Sequence, residues 1–361
     1  MYHSRSNDRL LFYCTHVLIS EFAPQSGVIL TWPHRHSDWQ DQLAGIEPVY
    51  IDIARAVVDR EHLLVICYDT EHRQHVQSVL SGAGIVLDRV VFCCIRTNDT
   101  WVRDYGPLTI LADGRPALQD YVFNAWGGKY SATLDDAVTG SLYAAGLFGT
   151  LEYQRLPLVL EGGSIDTDGA GSLLTTSHCL LSPTRNPGLD KPALEATLRE
   201  HLGIERVLWL EHGELAGDDT DAHVDMLARF CTADTIAYAH CADQADMHFA
   251  PLAAMEQELQ AFRTLTGAPY RLVPLPLPQT IHNAGGQRLP ASYANFLLIN
   301  GAVLLPVYED PADAIAVQRL QDCFPGRDII PINCLPLIQQ FGSLHCATMQ
   351  LPAGVLKAAS D

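Results

Sequence analysis

The chain has 361 residues, 48% of them hydrophobic and 18% charged. It can therefore bury a sizeable core and lacks the composition of a disordered segment. Its 23 basic and 42 acidic residues sum to −19, which argues against the basic face that nucleic-acid or anionic-membrane binding requires.

Length alone allows one large or two ordinary domains. The ten cysteines form no C-x-x-C pair, so no zinc ribbon, iron–sulfur site or redox motif is expected. No metal or organic cofactor is expected either. A reduced, cytoplasmic protein fits best. The first twenty residues lack a signal-peptide pattern, and no run of ~18 apolar residues could cross a membrane.

In chain order, Val28 to Trp32 reads as a strand, Ser37 to Val58 as a helix, Leu63 to Cys67 as a strand and Glu71 to Leu80 as a helix. Four hairpins follow, each signalled by a short turn between apolar runs. The first joins Leu108–Leu111 to Ala117–Phe123 across Asp113-Gly114. The second joins Ser164-Ile165 to Ser172–Thr176 across Asp168-Gly169. The third joins His223–Phe230 to Thr235–Ala239 across Ala233-Asp234. The fourth joins Phe296–Ile299 to Ala302–Val307 across Asn300-Gly301.

Helices lie between the later hairpins. Asp190 caps one that carries a Leu194, Leu198, Leu202 stripe and stops at Gly203. Leu252 to Leu265 and Asp313 to Cys323 read alike. The first strand could pair with a final strand around Cys346 to Leu351. About five α/β units result, with no linker between them. The expected architecture is one α/β domain of small repeated sheets around an axis, with a generic α/β sandwich as the alternative.

Polar residues cluster where each hairpin begins: Thr97 to Pro107, Leu160 to Ser164, Gly217 to Asp225 and Ser292 to Asn295. The last strand carries Phe341 to Thr348. In units around an axis these strand starts converge. His223 and Asp225, two apart on a strand, would share a face. Gly162 and Gly163 would admit a ligand or another backbone. Carboxylates, an imidazole and a thiol together suit a guanidinium, a planar cation with five N–H donors. A thiolate can attack its carbon once acids hold it and an imidazole handles protons. Nearby acids would raise the Cys346 pKa, so a bound cation or a protonated His223 must offset them.

The segments ILTWPHRHSDW, TNDTWVRDYGP, FNAWGGKY, LEGGSI, RNPG, DDTDAHVDMLARF, SYANFLLINGAVLLP and GSLHCATMQLP resemble the agmatine deiminases. These belong to the wider bacterial peptidylarginine-deiminase-like family of guanidine-modifying enzymes. The resemblance runs in order from about Glu21 to Pro352. It implies a five-bladed pseudosymmetric α/β propeller, with residues 1–20 as an extension and 21–361 as the catalytic domain. It implies Cys346 as nucleophile and His223 as general acid/base. Asp104 and Asp225 would grip the guanidinium, Glu161 would contact it and orient His223, and Trp101 would wall the site. One departure is Ala222, where the family usually has Gly.

Of the remaining acids, Asp219 is the best candidate to receive the distal ammonium of a diamine-like substrate. The His178-Cys179 and Cys93-Cys94 pairs are read as core and the His34/His36 pair as polar loop residues, and Trp126 is left out of the site. His345 is expected to face away from the site, as is Arg103. The implied ligand is a small cationic guanidine, and a homo-oligomer is compatible with the sequence. The activity expected is hydrolysis of agmatine to N-carbamoylputrescine and ammonia. Alternatives are the same chemistry on peptidyl-arginine, guanidine or polyamine binding without turnover, and amidine transfer to an amine.

Overall fold

The computed structural model describes residues 16–356. Among them are five small sheets, each built around an antiparallel pair joined to a parallel strand; in four the pair is a hairpin. The first sheet contains Leu108–Ala112, Arg115–Val122 and Glu152–Val159. The second contains Ile165–Thr167, Ser172–Thr176 and Arg206–Leu210. The third contains Ala228–Thr232, Thr235–His240 and Arg271–Pro276. The fourth contains Leu297–Ile299, Ala302–Val307 and Asp328–Asn333. In the fifth, the last strand, Thr348–Pro352, pairs antiparallel with Gln25–Thr31, and parallel strands His62–Cys67 and Val90–Cys94 follow. The two ends of the described chain thus share one sheet, as the sequence led us to expect.

Local chemistry accounts for these elements. Asp113 and Gly114 both have positive φ, at 50° and 77°, the backbone a tight hairpin needs to match strand twist. In the second crossover the Asp190 side chain accepts from the Ala193 N–H at 2.9 Å, and Gly203 ends the helix Lys191–Leu202 at φ 64°. Leu194, Leu198 and Leu202 are its buried face. The central parallel strand His62–Cys67 is, from Leu63 onward, apolar and buried on both faces, as a strand covered on both sides requires.

The N-terminal residues reach further into the fold than the resemblance to Glu21 implied. His16–Leu18 adds an antiparallel strand to the first sheet. A Cβ on Gly203 would stand 1.6 Å from the His16 carbonyl oxygen, so glycine is required where this strand crosses the helix end. Residues 1–15 of the expected extension lie outside the described residues.

Three local expectations need correction. The helix expected over Leu252 to Leu265 spans Phe249–Ala261 instead, because a turn bridged between Arg263 and Pro269 follows it. His223 and Asp225 are not on a strand: His223 precedes the 3-10 turn Val224–Met226, and the strand starts at Ala228. Cys94 and His178 are exposed rather than core. Cys94 ends an edge strand, and His178 lies on the short helix Ser177–Leu180, where strand alternation does not apply. Buried His34 bonds Thr97 Oγ1 at 2.9 Å and exposed His36 stacks on Tyr68. Neither belongs to a metal-ligand group among the described residues.

Candidate active site

Every sheet contributes the residue that stands just before the first strand of its hairpin. Asp104 lies on the short helix Val102–Tyr105, before Leu108–Ala112. Glu161 precedes the 3-10 turn Gly162–Ser164, before Ile165–Thr167. His223 and Asp225 precede Ala228–Thr232, Asn295 precedes Leu297–Ile299, and Cys346 precedes Thr348–Pro352. All six are buried.

These turns are joined to one another. Arg103 N–H donates to the Cys346 carbonyl at 3.2 Å. Gly163 N–H donates to Asp104 Oδ1 at 2.9 Å. Asn295 Nδ2 donates to Asp225 Oδ2 at 3.1 Å, and His345 N–H donates to Asn295 Oδ1 at 2.9 Å. Glu161 and His223, with Cys179, place ligand atoms within 4.8 Å of one another. A Cβ on Gly163 would stand 2.7 Å from His223 Nδ1, 2.8 Å from Asp104 Oδ1 and 3.1 Å from Asp225 Oδ2. Only glycine leaves that convergence point open. Gly162 is equally constrained, since a Cβ there would stand 2.2 Å from the Arg103 carbonyl.

Cys346 Sγ lies 3.6 Å from Asp225 Oδ2 and 3.3 Å from Asn295 Nδ2. Cys346 and Asp104 line a cleft of about 660 Å³. Trp101, Trp126, Tyr130 and Phe341 supply its aromatic wall. Asp38, Asp99 and Asp219 are further lining acids, and among the described residues no lysine or arginine lines it. Trp101 packs on Trp39 with ring centroids 5.9 Å apart, and Gly342 leaves room for its indole.

Burial dominates the electrostatics. It raises the Asp104 carboxyl to about 8, with the Asp225 and Glu161 charges adding to the shift. Burial, then Asp225 and Asp104, pushes the Cys346 thiol well above its ordinary range. Burial lowers His223 to about 3, so this imidazole is neutral near pH 7 and is not the cation that offsets the acids. Both its ring nitrogens are buried without a hydrogen-bond partner.

Glu161 is held differently from the expectation. Arg185 Nε reaches its two oxygens at 2.9 and 3.1 Å. The same guanidinium binds Asp221 Oδ2 at 2.6 Å and the Thr220 carbonyl at 2.8 Å. Glu161 makes no hydrogen bond to His223. Asp219 lines the cleft as expected, but Tyr130 OH donates to it at 2.5 Å and Lys129 Nζ lies 3.5 Å away. Asp218 caps its own loop through the Thr220 and Ala222 N–H groups. Ala222, the departure from the family pattern, has φ 64°, the left-handed backbone for which glycine is favoured.

Sequence reasoning missed several residues. Trp126 was set aside, yet its Nε1 donates to Asp104 Oδ2 at 2.9 Å. Asn295 was visible only as part of the fourth polar cluster. Arg185 stood in a quoted motif without a role, because only folding brings it to Glu161. His345 does face away from the cleft, but it bonds Asp225 from behind at 2.8 Å. Arg103 also faces away, on a helix rather than a strand, and pairs with Glu21 at 3.1 Å.

Known proteins resemble this chain over most of its length. The chain is 33% identical to an agmatine deiminase of Stutzerimonas stutzeri, covering 92% of this chain and 95% of that protein. A Porphyromonas gingivalis structure, provisionally named an arginine deiminase, is 47% identical, with TM-score 0.89 over 95% of this chain and 100% of the other. A C. jejuni agmatine deiminase solved with substrate bound is 36% identical, with TM-score 0.87 over 94% and 97% of the two chains. The Porphyromonas-type peptidyl-arginine deiminase profile matches residues 17–352. The chain belongs to that family.

Proposed function

We propose that this protein hydrolyses agmatine to N-carbamoylputrescine and ammonium. The observation that carries this reading is the cleft: a thiol at its inner end, four lining carboxylates and, among the described residues, no lining lysine or arginine. A dication with a guanidinium head and an ammonium tail complements it at both ends. Free arginine would bring an α-carboxylate against those acids. Lys129, the nearest cation, is already bonded to Asp221 and to the Asp219 carbonyl.

The substrate supplies the charge that the free site lacks. A guanidinium between Asp104 and Cys346 lowers the pKa of both: the Asp104 proton is released to solvent, and the thiol proton passes to His223, leaving a thiolate. Sγ attacks the guanidinium carbon and forms a tetrahedral adduct. His223 donates a proton to the departing nitrogen, ammonia leaves, and an S-linked thiouronium remains. Neutral His223 then takes a proton from water, whose oxygen bonds the carbon. The C–S bond breaks with the thiolate regenerated, the hydroxyl proton passes to the released ammonia to give ammonium, and the ureido product leaves. Asp104 and Asp225 align the cation, Trp101 walls the head group, and Glu161, fixed by Arg185, faces His223. Asp219 with Tyr130 is placed for the tail, alongside Asp38 and Asp99.

The ring of contacts from Cys346 through Arg103, Gly163, His223 and Asn295 supports closure of the five sheets as a five-bladed pseudosymmetric propeller. It also supports a single catalytic domain over residues 21–361. Among the described residues no helix is long and apolar enough to cross a membrane, and the nine cysteines are unpaired. This favours the reducing cytoplasm.

A second reading, deimination of peptidyl-arginine, draws support from the family's description. Comparing kcat/KM for agmatine, free arginine and a blocked peptidyl-arginine separates the two. Agmatine should lead by at least 100-fold, and a lead for the peptide would overturn the first reading. Turnover retained by Cys346→Ala would overturn the mechanism in either case.

A further inference from the structure

Asp225 has two oxygens in contrasting situations. Oδ2 accepts from Asn295 Nδ2 at 3.1 Å and lies 2.8 Å from His345 Nδ1, which donates to it when the ring carries a proton there, with Cys346 Sγ at 3.6 Å. Oδ1 is buried and has no partner. A carboxylate free to turn about its last bond would share those donors between its oxygens, because an unmet buried acceptor is costly. The donors crowded onto Oδ2 prevent this.

Of these donors, the His345 ring is the one secured from behind. Its Nε2 lies 2.9 and 3.0 Å from the two oxygens of Glu21. Glu21 is fixed in turn by Arg103 Nη1 at 3.1 Å, Gln350 Nε2 at 2.8 Å and the Arg229 guanidinium. Asp225 lies just behind the lining residue Cys346, at 3.6 Å from its Sγ, whereas Glu21 and His345 stand a layer further back and act on the site through Asp225. Glu21 comes from the opposite end of the chain to Cys346, so this support exists only after the first and last segments have assembled.

We propose that Glu21 and His345 are positioning residues for guanidinium recognition, fixing the Asp225 carboxylate so that Oδ2 stays beside Cys346 Sγ and the Gly163 convergence point while the unpartnered Oδ1 is left to accept from the substrate's N–H groups. This rests on the reading of Asp225 as a guanidinium ligand. The clamp acts on the head group alone, so it sets affinity for every guanidine and leaves discrimination between tails unchanged.

The test measures binding of agmatine and of methylguanidine by calorimetry in a Cys346→Ser parent, where no turnover interferes. Glu21→Gln and His345→Gln, each of which keeps its side chain's reach, are added singly and with Asp225→Asn. Melting curves establish that each variant is folded. Each single variant should weaken both ligands by roughly 10-fold or more, and by the same factor. His345→Gln should add little once Asp225→Asn is present, because the two act through one contact. Additive losses, or parent-like binding by folded Glu21→Gln, would overturn the clamp while leaving the proposed function intact. If His345→Gln does not fold, Glu21→Gln carries the test. A parent that binds no guanidine would overturn both the clamp and the role of Asp225.

Discussion

Asp104 and Asp225 are both buried beside Cys346, yet they stand in opposite surroundings. Asp225 has His345 and Asn295 behind it, and beyond them the ion pairs of Glu21 with Arg103 and Arg229. Burial raises its pKa, but the His345 bond and nearby positive charge outweigh this and leave it below the usual carboxylate range. Asp104 has only the Trp126 indole and the Gly163 amide as close neutral donors, and it rises to about 8. One residue type is thus held ionised where a cationic network stands behind it and held neutral where none does. The difference lies in whether a cation is built in or has to arrive as substrate.

That contrast can be broken most severely from behind. Arg229→Gln should destabilise the fold by about 3–5 kcal/mol in denaturant titration, because half-buried Glu21 and buried Asp166 would lose their shared partner. A loss under 1 kcal/mol would show that the rear network is not held by charge. At the front, Gly163→Ala should lower kcat/KM by roughly 100-fold or more, since its methyl would occupy the point where His223, Asp104 and Asp225 meet. Near-wild-type turnover would show that this point is not the reaction centre.

Asp104→Asn tests the contrast through stability. The unfolded chain loses this proton near 4, whereas the folded protein keeps it until about 8. The folded state therefore binds more protons in that window, and wild-type stability should fall as pH rises through it. The Asn variant should lose less stability from pH 5 to pH 8 and melt higher at pH 8, while turnover collapses. Parallel melting profiles for the two proteins would refute a raised Asp104. The smallest expected effect is at the loop that carries His223. Ala222→Gly should add about 1 kcal/mol of stability by relieving the left-handed backbone. Destabilisation would mean that the Ala222 methyl contributes more by packing than it costs in strain.

The hairpins were legible because Asp-Gly and Asn-Gly turns encode their own backbone, and the Asp190 cap and Gly203 stop did the same for one helix. The polar residues before each hairpin were legible as a set, since buried acids at strand starts conflict with a simple core. Their partners were not. Trp126 reads as another core aromatic, and nothing near position 161 announces Arg185. The strand expected at His223 failed because alternation in five residues cannot distinguish a strand from a 3-10 turn that leads into one.

The sequence by itself determined the small α/β units, the acidic bias and the placement of a thiol, an imidazole and acids at their edges. These follow from local backbone preference and from residue chemistry, which travel with each segment. Tertiary structure alone decided which acid is charged, which arginine holds Glu161 and what stands behind Asp225. Those outcomes depend on burial and on contacts between segments as distant as Glu21 and His345, and a charge in a low-dielectric interior takes its value from its neighbours in space.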